Sequence, residues 1–165
     1  MPTDSNHPNP ATDSNQHRIV REARPADKEQ IKRILDEANL TPFESTDPSG
    51  AAPNQTASNH VHICEVDGEV RAVLQWRQVG TEAEIFDVAV ETTHRRRGIA
   101  SFLLESVLNT AKAEGAKEIY LEVRESNAAA LSLYKKFGFS VTGSRSNYYR
   151  DPTEAALLLR LEFTG

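Results

Sequence analysis

Residues 83–100 read Ala83-Glu84-Ile85-Phe86-Asp87-Val88-Ala89-Val90, then Glu91-Thr92-Thr93, then His94-Arg95-Arg96-Arg97-Gly98-Ile99-Ala100. The apolar run predicts a strand over 82–90. Downstream, Ile99, Leu103, Val107 and Ala111 recur every four residues, which places them on one helical face. A strand therefore passes through a short basic turn into a helix that Gly98 opens. The first N–H groups of a helix have no partner within it, and with the helix dipole they favour an anion. Glycine lets a ligand come close to the backbone. A phosphate or pyrophosphate site is one reading; a solvated arginine loop before an ordinary helix start is the other. A Walker loop is excluded because no G-K-[ST] follows, and the G-x-G-x-x-G spacing of dinucleotide sites is absent.

Working outward, Ile19 to Glu22 reads as a short strand, and Pro25-Ala26-Asp27 opens a helix with Ile31, Ile34, Leu35 and Ala38 inward. Residues 39–59 are rich in Pro, Thr, Ser, Asn, Gly and Ala and read as a long loop, with a helical turn near Phe43. Strands follow at 60–66, 70–79 and 82–90, the first two joined by the hairpin signal Asp67-Gly68. The Gly98 helix ends near Gly115. A strand spans 117–123. Ser126 or Asn127 caps a helix through Phe137, closed by Lys135, Lys136 and Gly138. Strands at 139–149 and 155–163 finish the chain. The expected architecture is α/β: a mixed, mostly antiparallel central sheet with helices on both faces.

The chain has 165 residues, enough for one domain with a sizeable core. We expect a disordered tail over 1–17 and one domain over 18–165. A net charge of -5 gives no basic signature for nucleic acid. No apolar run approaches the ~20 residues of a membrane span. The single cysteine, Cys64, sits in the apolar run Val61-His62-Ile63-Cys64, which suits a core position. It permits no internal disulfide and points to a cytoplasmic setting. The five histidines show no metal-ligand spacing, so no metal is expected.

In Ile119-Tyr120-Leu121-Glu122-Val123, the apolar residues share one strand face and Glu122 the other. An acid near the carboxyl end of a central strand suits a ligand site. It equally suits a structural pair with Arg124 or another base. Asn127 and Tyr134 lie two turns apart on one helical face, roughly 10 Å along it. Leu131, Tyr134 and Phe137 are also spaced as a core stripe, so packing is the competing role for Tyr134.

Two runs combine these pieces. One is Val88-Ala89-Val90 before Arg95-x-x-Gly98-x-Ala100. The other is Leu121-Glu122-Val123-Arg124-x-Ser126-Asn127-x-x-Ala130-x-x-Leu133-Tyr134-x-x-Phe137-Gly138-Phe139, followed by Arg145-x-Asn147-Tyr148-Tyr149. Over residues 18–163 the chain resembles the GNAT superfamily of N-acetyltransferases, and within it the ribosomal-protein-alanine N-acetyltransferases. The resemblance implies transfer of acetyl from acetyl-coenzyme A to a protein's α-amino group, with a protein N-terminus, of the ribosomal-protein kind, as partner. It implies that Val88, Ala89 and Val90 offer backbone groups to the pantetheine arm and acetyl carbonyl. It implies a pyrophosphate cradle from Arg96, Arg97, Gly98, Ile99, Ala100 and Ser101, and a coenzyme contact from Asn127. Glu122 would be the general base, Tyr134 the general acid, and Phe43, Tyr148 and Tyr149 would line the acceptor groove.

These roles are chemically reasonable. An α-amine has a pKa of ~7.7–8.0 and needs modest help to become a nucleophile. A glutamate at ~4.3 must act through water or be raised by burial. The family's Phe-Pro-Trp-Ser-like segment after the first helix has no match here, where Leu40-Thr41-Pro42-Phe43-Glu44-Ser45 stands and the sole tryptophan, Trp76, lies in a strand. Acetylation of a small amine or a lysine is the enzymatic alternative. A non-catalytic acyl-coenzyme A sensor is the alternative of another class, disfavoured because both proton-transfer positions are filled.

Overall fold

The structure is a computed structural model that describes residues 16–42 and 57–165. Phe43, most of the 39–59 loop and most of the expected tail lie outside the described residues. In chain order come β1 (Arg18–Glu22), α1 (Lys28–Glu37), β2 (Ala57–Val66), β3 (Glu69–Val79) and β4 (Glu82–Val90). Then follow α2 (Ile99–Ala113), β5 (Glu118–Arg124), α3 (Ala128–Lys136), β6 (Ser140–Tyr149) and β7 (Glu154–Glu162). The His17 carbonyl accepts from Asp67 N at 2.9 Å and His17 N donates to the Asp67 carboxylate at 3.1 Å, so ordered pairing begins just ahead of β1.

One seven-stranded sheet carries the molecule, in the order β1-β2-β3-β4-β5-β7-β6. Every neighbouring pair is antiparallel except β4 with β5. The expected mixed, mostly antiparallel sheet with helices on both faces is what forms. A parallel neighbour needs a crossover, and α2 supplies it. The Asp67-Gly68 signal works as read: both residues take positive φ, 51° and 86°, and close the β2–β3 hairpin.

The sheet's alternation sorts two cores. On one face α2 and α3 bury Leu103, Val107 and Tyr134 against Leu74, Trp76, Ile85, Leu121 and Leu159. On the other, α1 buries Ile34 and Leu35 against Ile63, Val73 and Ala89. Cys64 is fully buried in the first core, as expected of a small apolar residue. The entry to α1 is held by charge. Arg21 grips Asp27 through both terminal nitrogens, at 2.7 and 2.9 Å, and also reaches Glu65. The Arg21 hydrogen bonds draw the Asp27 carboxyl down to about 2.

Two irregularities position the site. In the β3–β4 ladder Gln75 faces Asp87 and Trp76 faces Ile85, so Phe86 is an extra residue. This bulge reverses the alternation of β4. Ala83 and Ile85 face α2, whereas beyond the bulge Ala89 faces α1. The second irregularity is that β4 and β5 pair only from Glu82–Glu118 to Ile85–Leu121. Past that point Phe86–Val90 and Glu122–Arg124 have no cross-strand partners in one another, and the sheet forks.

Candidate active site

The fork leaves one edge of β4 open. Val88, Ala89 and Val90 pair with Leu74, Val73 and Ala72 of β3 on one side only. The backbone groups aimed at β5 are outside the ladder, apart from the Val90 carbonyl, which accepts from Arg95 Nε at 3.1 Å. Unpaired strand polar groups beside an open cleft are ready to bond an extended ligand arm.

Beyond β4 the chain makes a short 3₁₀ turn, Thr92–His94, and reaches α2 through Arg96 at φ 63° and Gly98 at φ 75°. Arg18 Nη2 donates to the Arg97 carbonyl at 2.7 Å, which fastens the turn to β1. The first turn of α2 holds no acidic residue, and Arg95, Arg96 and Arg97 are exposed. Oriented N–H groups, three arginines nearby and no competing carboxylate in that turn make a setting for a pyrophosphate.

Glu122 stands on the far side of the fork, on β5. Leu121 and Val123 turn into the α2 core, so Glu122 faces the opposite side of the sheet. Its side chain is about a quarter exposed, at 23%. Of the two partners considered from the sequence, it is the other base: Glu122 pairs with Arg145 Nη2 at 3.4 Å, while Arg124 pairs with Glu154 at 3.4 Å. The neighbouring Glu122 carboxylate raises the Tyr148 phenol and so holds its proton on. Tyr148 reaches it because β6 is irregular between Arg145 and Tyr149, with Asn147 at φ 55°. Tyr149 packs edge-on against Tyr148 with ring centres 5.0 Å apart, and Arg124 lies 4.2 Å over the Tyr149 ring.

Tyr134 sits in α3 and is 7% exposed, with its ring edge-on to Phe139 at 5.6 Å. The ring belongs to the core, as the stripe with Leu131 and Phe137 suggests, and the Asp87 and Tyr149 charges act on its phenol. Burial first, then the Asp87 charge, pushes the phenol up to about 12. It is a weaker acid than an ordinary tyrosine. Asn127, rather than Ser126, caps α3: its Oδ1 accepts from Ala130 N at 3.1 Å.

Sequence reasoning missed two participants. Asp87 faces the α1 side because of the Phe86 bulge, and Gln75 Nε2 donates to its Oδ2 at 3.0 Å. The signal was an aspartate in an otherwise apolar strand, but the bulge that turns it is invisible in the spacing. Arg145 was quoted only within a motif, and its role emerges from pairing with Glu122. Adjoining the fork, a cavity of about 430 Å³ is lined by residues including Arg77, Glu84, Tyr120, Glu122, Thr142 and Arg145.

The sequence model of the acetyltransferase (GNAT) family matches residues 28–139, and the chain belongs to that family. It is 36% identical over 97 residues to the [ribosomal protein bS18]-alanine N-acetyltransferase of Escherichia coli K12. That match spans 58% of this chain and 66% of the relative, just under two thirds of its length. An N-alpha-acetyltransferase of Sulfurisphaera tokodaii is 36% identical over 109 residues, covering 58% of this chain and 65% of the other. The crystal structure of the ribosomal-protein-S18-alanine N-acetyltransferase from Escherichia coli superposes with a TM-score of 0.73 at 27% identity, covering 90% of this chain and 97% of that one.

Proposed function

We propose that this chain is an acetyl-coenzyme A-dependent N-acetyltransferase for the α-amino group of a protein N-terminus, of the ribosomal-protein-alanine type, working in the cytoplasm. The observation that supports this reading is the fork where β4 and β5 part, with an acid, Glu122, on β5 and the Gly98 turn into α2 following β4. The names of its relatives support the acceptor class.

The described residues fit the coenzyme. Gly98 in a left-handed conformation, the acid-free first turn of α2 with Ile99, Ala100 and Ser101, and Arg96 and Arg97 would hold the pyrophosphate. The open edge of Val88, Ala89 and Val90 would bond the pantetheine arm, and the Asn127 amide would contact it from α3. When bound, acetyl-coenzyme A supplies an acetyl thioester whose carbon is attacked and whose sulfur leaves.

The chain's own groups move the protons. Glu122 takes a proton leaving the acceptor nitrogen as the carbon–nitrogen bond forms. Tyr134 gives its phenolic proton to the sulfur as the carbon–sulfur bond breaks. From a phenol at about 12 to a thiolate at ~8.5, that transfer is uphill by roughly 5 kcal/mol. It must therefore be concerted with bond cleavage, or follow removal of the nearby negative charge. Tyr148 and Tyr149 line the acceptor side, with Arg145 setting the orientation of Glu122.

The test is acceptor profiling. Peptides with free alanine or serine termini are compared with polyamines, amino acids and aminoglycosides, following coenzyme A release. Preference for peptides upholds the reading; preference for a small amine transfers it to the enzymatic alternative. No release with any amine leaves the sensor.

A further inference from the structure

The carboxylates around the fork differ in one respect. Glu122 has Arg145 at 3.4 Å, Glu84 has Arg77 at 2.9 Å, Glu154 has Arg124 at 3.4 Å and Glu91 has Arg71 at 2.6 Å. Asp87 has no arginine, lysine or histidine paired with it among the described residues. Its hydrogen bond comes from the neutral Gln75 amide, at 3.0 Å. A partly buried carboxylate without a counter-charge is costly, and the cost is relieved by a cation that comes to it. We propose that Asp87 is the acceptor anchor of this enzyme, the carboxylate that receives the ammonium group of the incoming amine at the mouth of the fork. The inference rests on the acetyltransferase reading and deepens it.

Three further observations agree. The Phe86 bulge turns Asp87 toward the α1 side, the side that Glu122 also faces across the opening. Gln75, 1% exposed, bonds both Asp87 and the Thr41 carbonyl at 3.2 Å, tying the carboxylate to the segment leaving α1. The Asp87 charge helps to raise both the Tyr134 and the Tyr149 phenol, and the Glu122 charge also raises that of Tyr149. Burial holds the Asp87 carboxyl above the usual range, opposed only by the Gln75 bond, as befits a site awaiting a cation.

The anchor also links acceptor binding to the departing sulfur. An ammonium on Asp87 cancels the negative charge that helps to hold the Tyr134 proton. Tyr134 then becomes a better acid when an acceptor is in place. Only the free amine can attack, so the anchored nitrogen first gives one proton to water; on attack it is again cationic beside Asp87, and Glu122 takes the second proton as the amide forms.

Asp87→Asn tests this, because it keeps the shape and the oxygen that accepts from Gln75. Acceptor KM is measured with an alanine-terminated peptide, and inhibition is compared between that peptide's N,N,N-trimethylated form, a permanent cation with no lone pair to react, and its desamino analogue. The expected result is an acceptor KM raised ~10–100-fold and loss of the wild-type preference for the ammonium inhibitor, with acetyl-coenzyme A affinity and melting temperature nearly unchanged. Asp87→Glu, which keeps the charge, should retain the preference. An unchanged KM with an unchanged preference overturns the proposal. Equal weakening of both inhibitors by Asp87→Asn also overturns it, since that marks a structural role. If the wild-type enzyme takes a small primary amine and no peptide, the acceptor class falls, and the Asp87 comparison is read on that amine with its neutral analogue.

Discussion

Replacing Gly98 separates the conformation of the α2 turn from its use as a binding surface. Gly98 sits at φ 75° and ψ 13°, in the left-handed region. A side chain there costs an L-residue ~1–2 kcal/mol. A Cβ on Gly98 would lie 3.7 Å from Arg18 Nη1, an ordinary contact, so no clash adds to the backbone cost. For a chain of this size 1 kcal/mol moves the melting temperature by roughly 2–4 °C, so Gly98→Ala should melt about 2–8 °C lower. Gly98→Asn should recover most of that, because asparagine tolerates the left-handed region. Both variants should bind acetyl-coenzyme A at least ~10-fold more weakly, since each places atoms where the pyrophosphate must approach, and Gly98→Val should do worse. At a ligand concentration of 100 times the wild-type Kd, the wild-type protein gains ~2.7 kcal/mol and a variant tenfold weaker gains roughly 1.4. Scanning calorimetry with and without ligand reads both quantities. Melting of Gly98→Ala within about 1 °C of wild type would refute the conformational argument. Unimpaired binding by Gly98→Asn would show that the turn needs the conformation and not the open space.

Glu122→Gln should lower turnover ~10²–10⁴-fold with acetyl-coenzyme A affinity nearly unchanged; near-normal turnover below neutral pH, where the amine is mostly protonated, would make Glu122 structural. Tyr134→Phe keeps the ring against Phe139, so melting should barely change while turnover falls steeply; a normal rate returns Tyr134 to packing alone. The Asp27 carboxyl is depressed from 3.8 to about 2 on folding, so its stabilisation is present above pH 4 and lost as pH falls toward 2. Asp27→Asn should therefore cost about 2 kcal/mol at neutral pH, and the gap from wild type in urea titrations should close toward pH 2. Burial pushes the Cys64 thiol up to about 11, so a disulfide reagent at pH 8 should label it only at the rate of unfolding.

What was legible in the sequence was whatever a local pattern dictates. The i, i+4 stripe of α2, the Asp67-Gly68 turn and the alternation of β5 each follow from one or two dihedral preferences and one apolar face. These sufficed to place Gly98 before a helix and Glu122 opposite a core face. Residues 57–59 were read as loop because Ala57, Ser58 and Asn59 carry no strand signal, yet they pair with Val79, Gln78 and Arg77. There the partner strand supplies the conformation. The insertion of β7 between β5 and β6 is likewise a pairing choice with no local mark.

The site divides along the same line. The glycine turn that opens α2 is local and was readable, whereas the setting of Glu122 and Asp87 depends on where β4 and β5 part and on a single extra residue. Had Phe86 been accommodated in the ladder, Asp87 would continue the series of Ala83 and Ile85 and face the α2 core, where a carboxylate would have to be buried among leucines. The bulge instead gives that position to Val88 and Val90, which do pack on the core, and turns the carboxylate toward Gln75. Deleting Phe86 would remove the bulge yet keep Ile85 on the core face and Asp87 on the α1 side, because regular alternation across Ile85, Asp87 and Val88 gives the same facings. Melting and turnover of that variant therefore test the extra residue itself: if the parting of β4 from β5 needs the bulge, turnover falls although Asp87 keeps its face, and a stable, active deletion variant would show that the fork forms without the bulge.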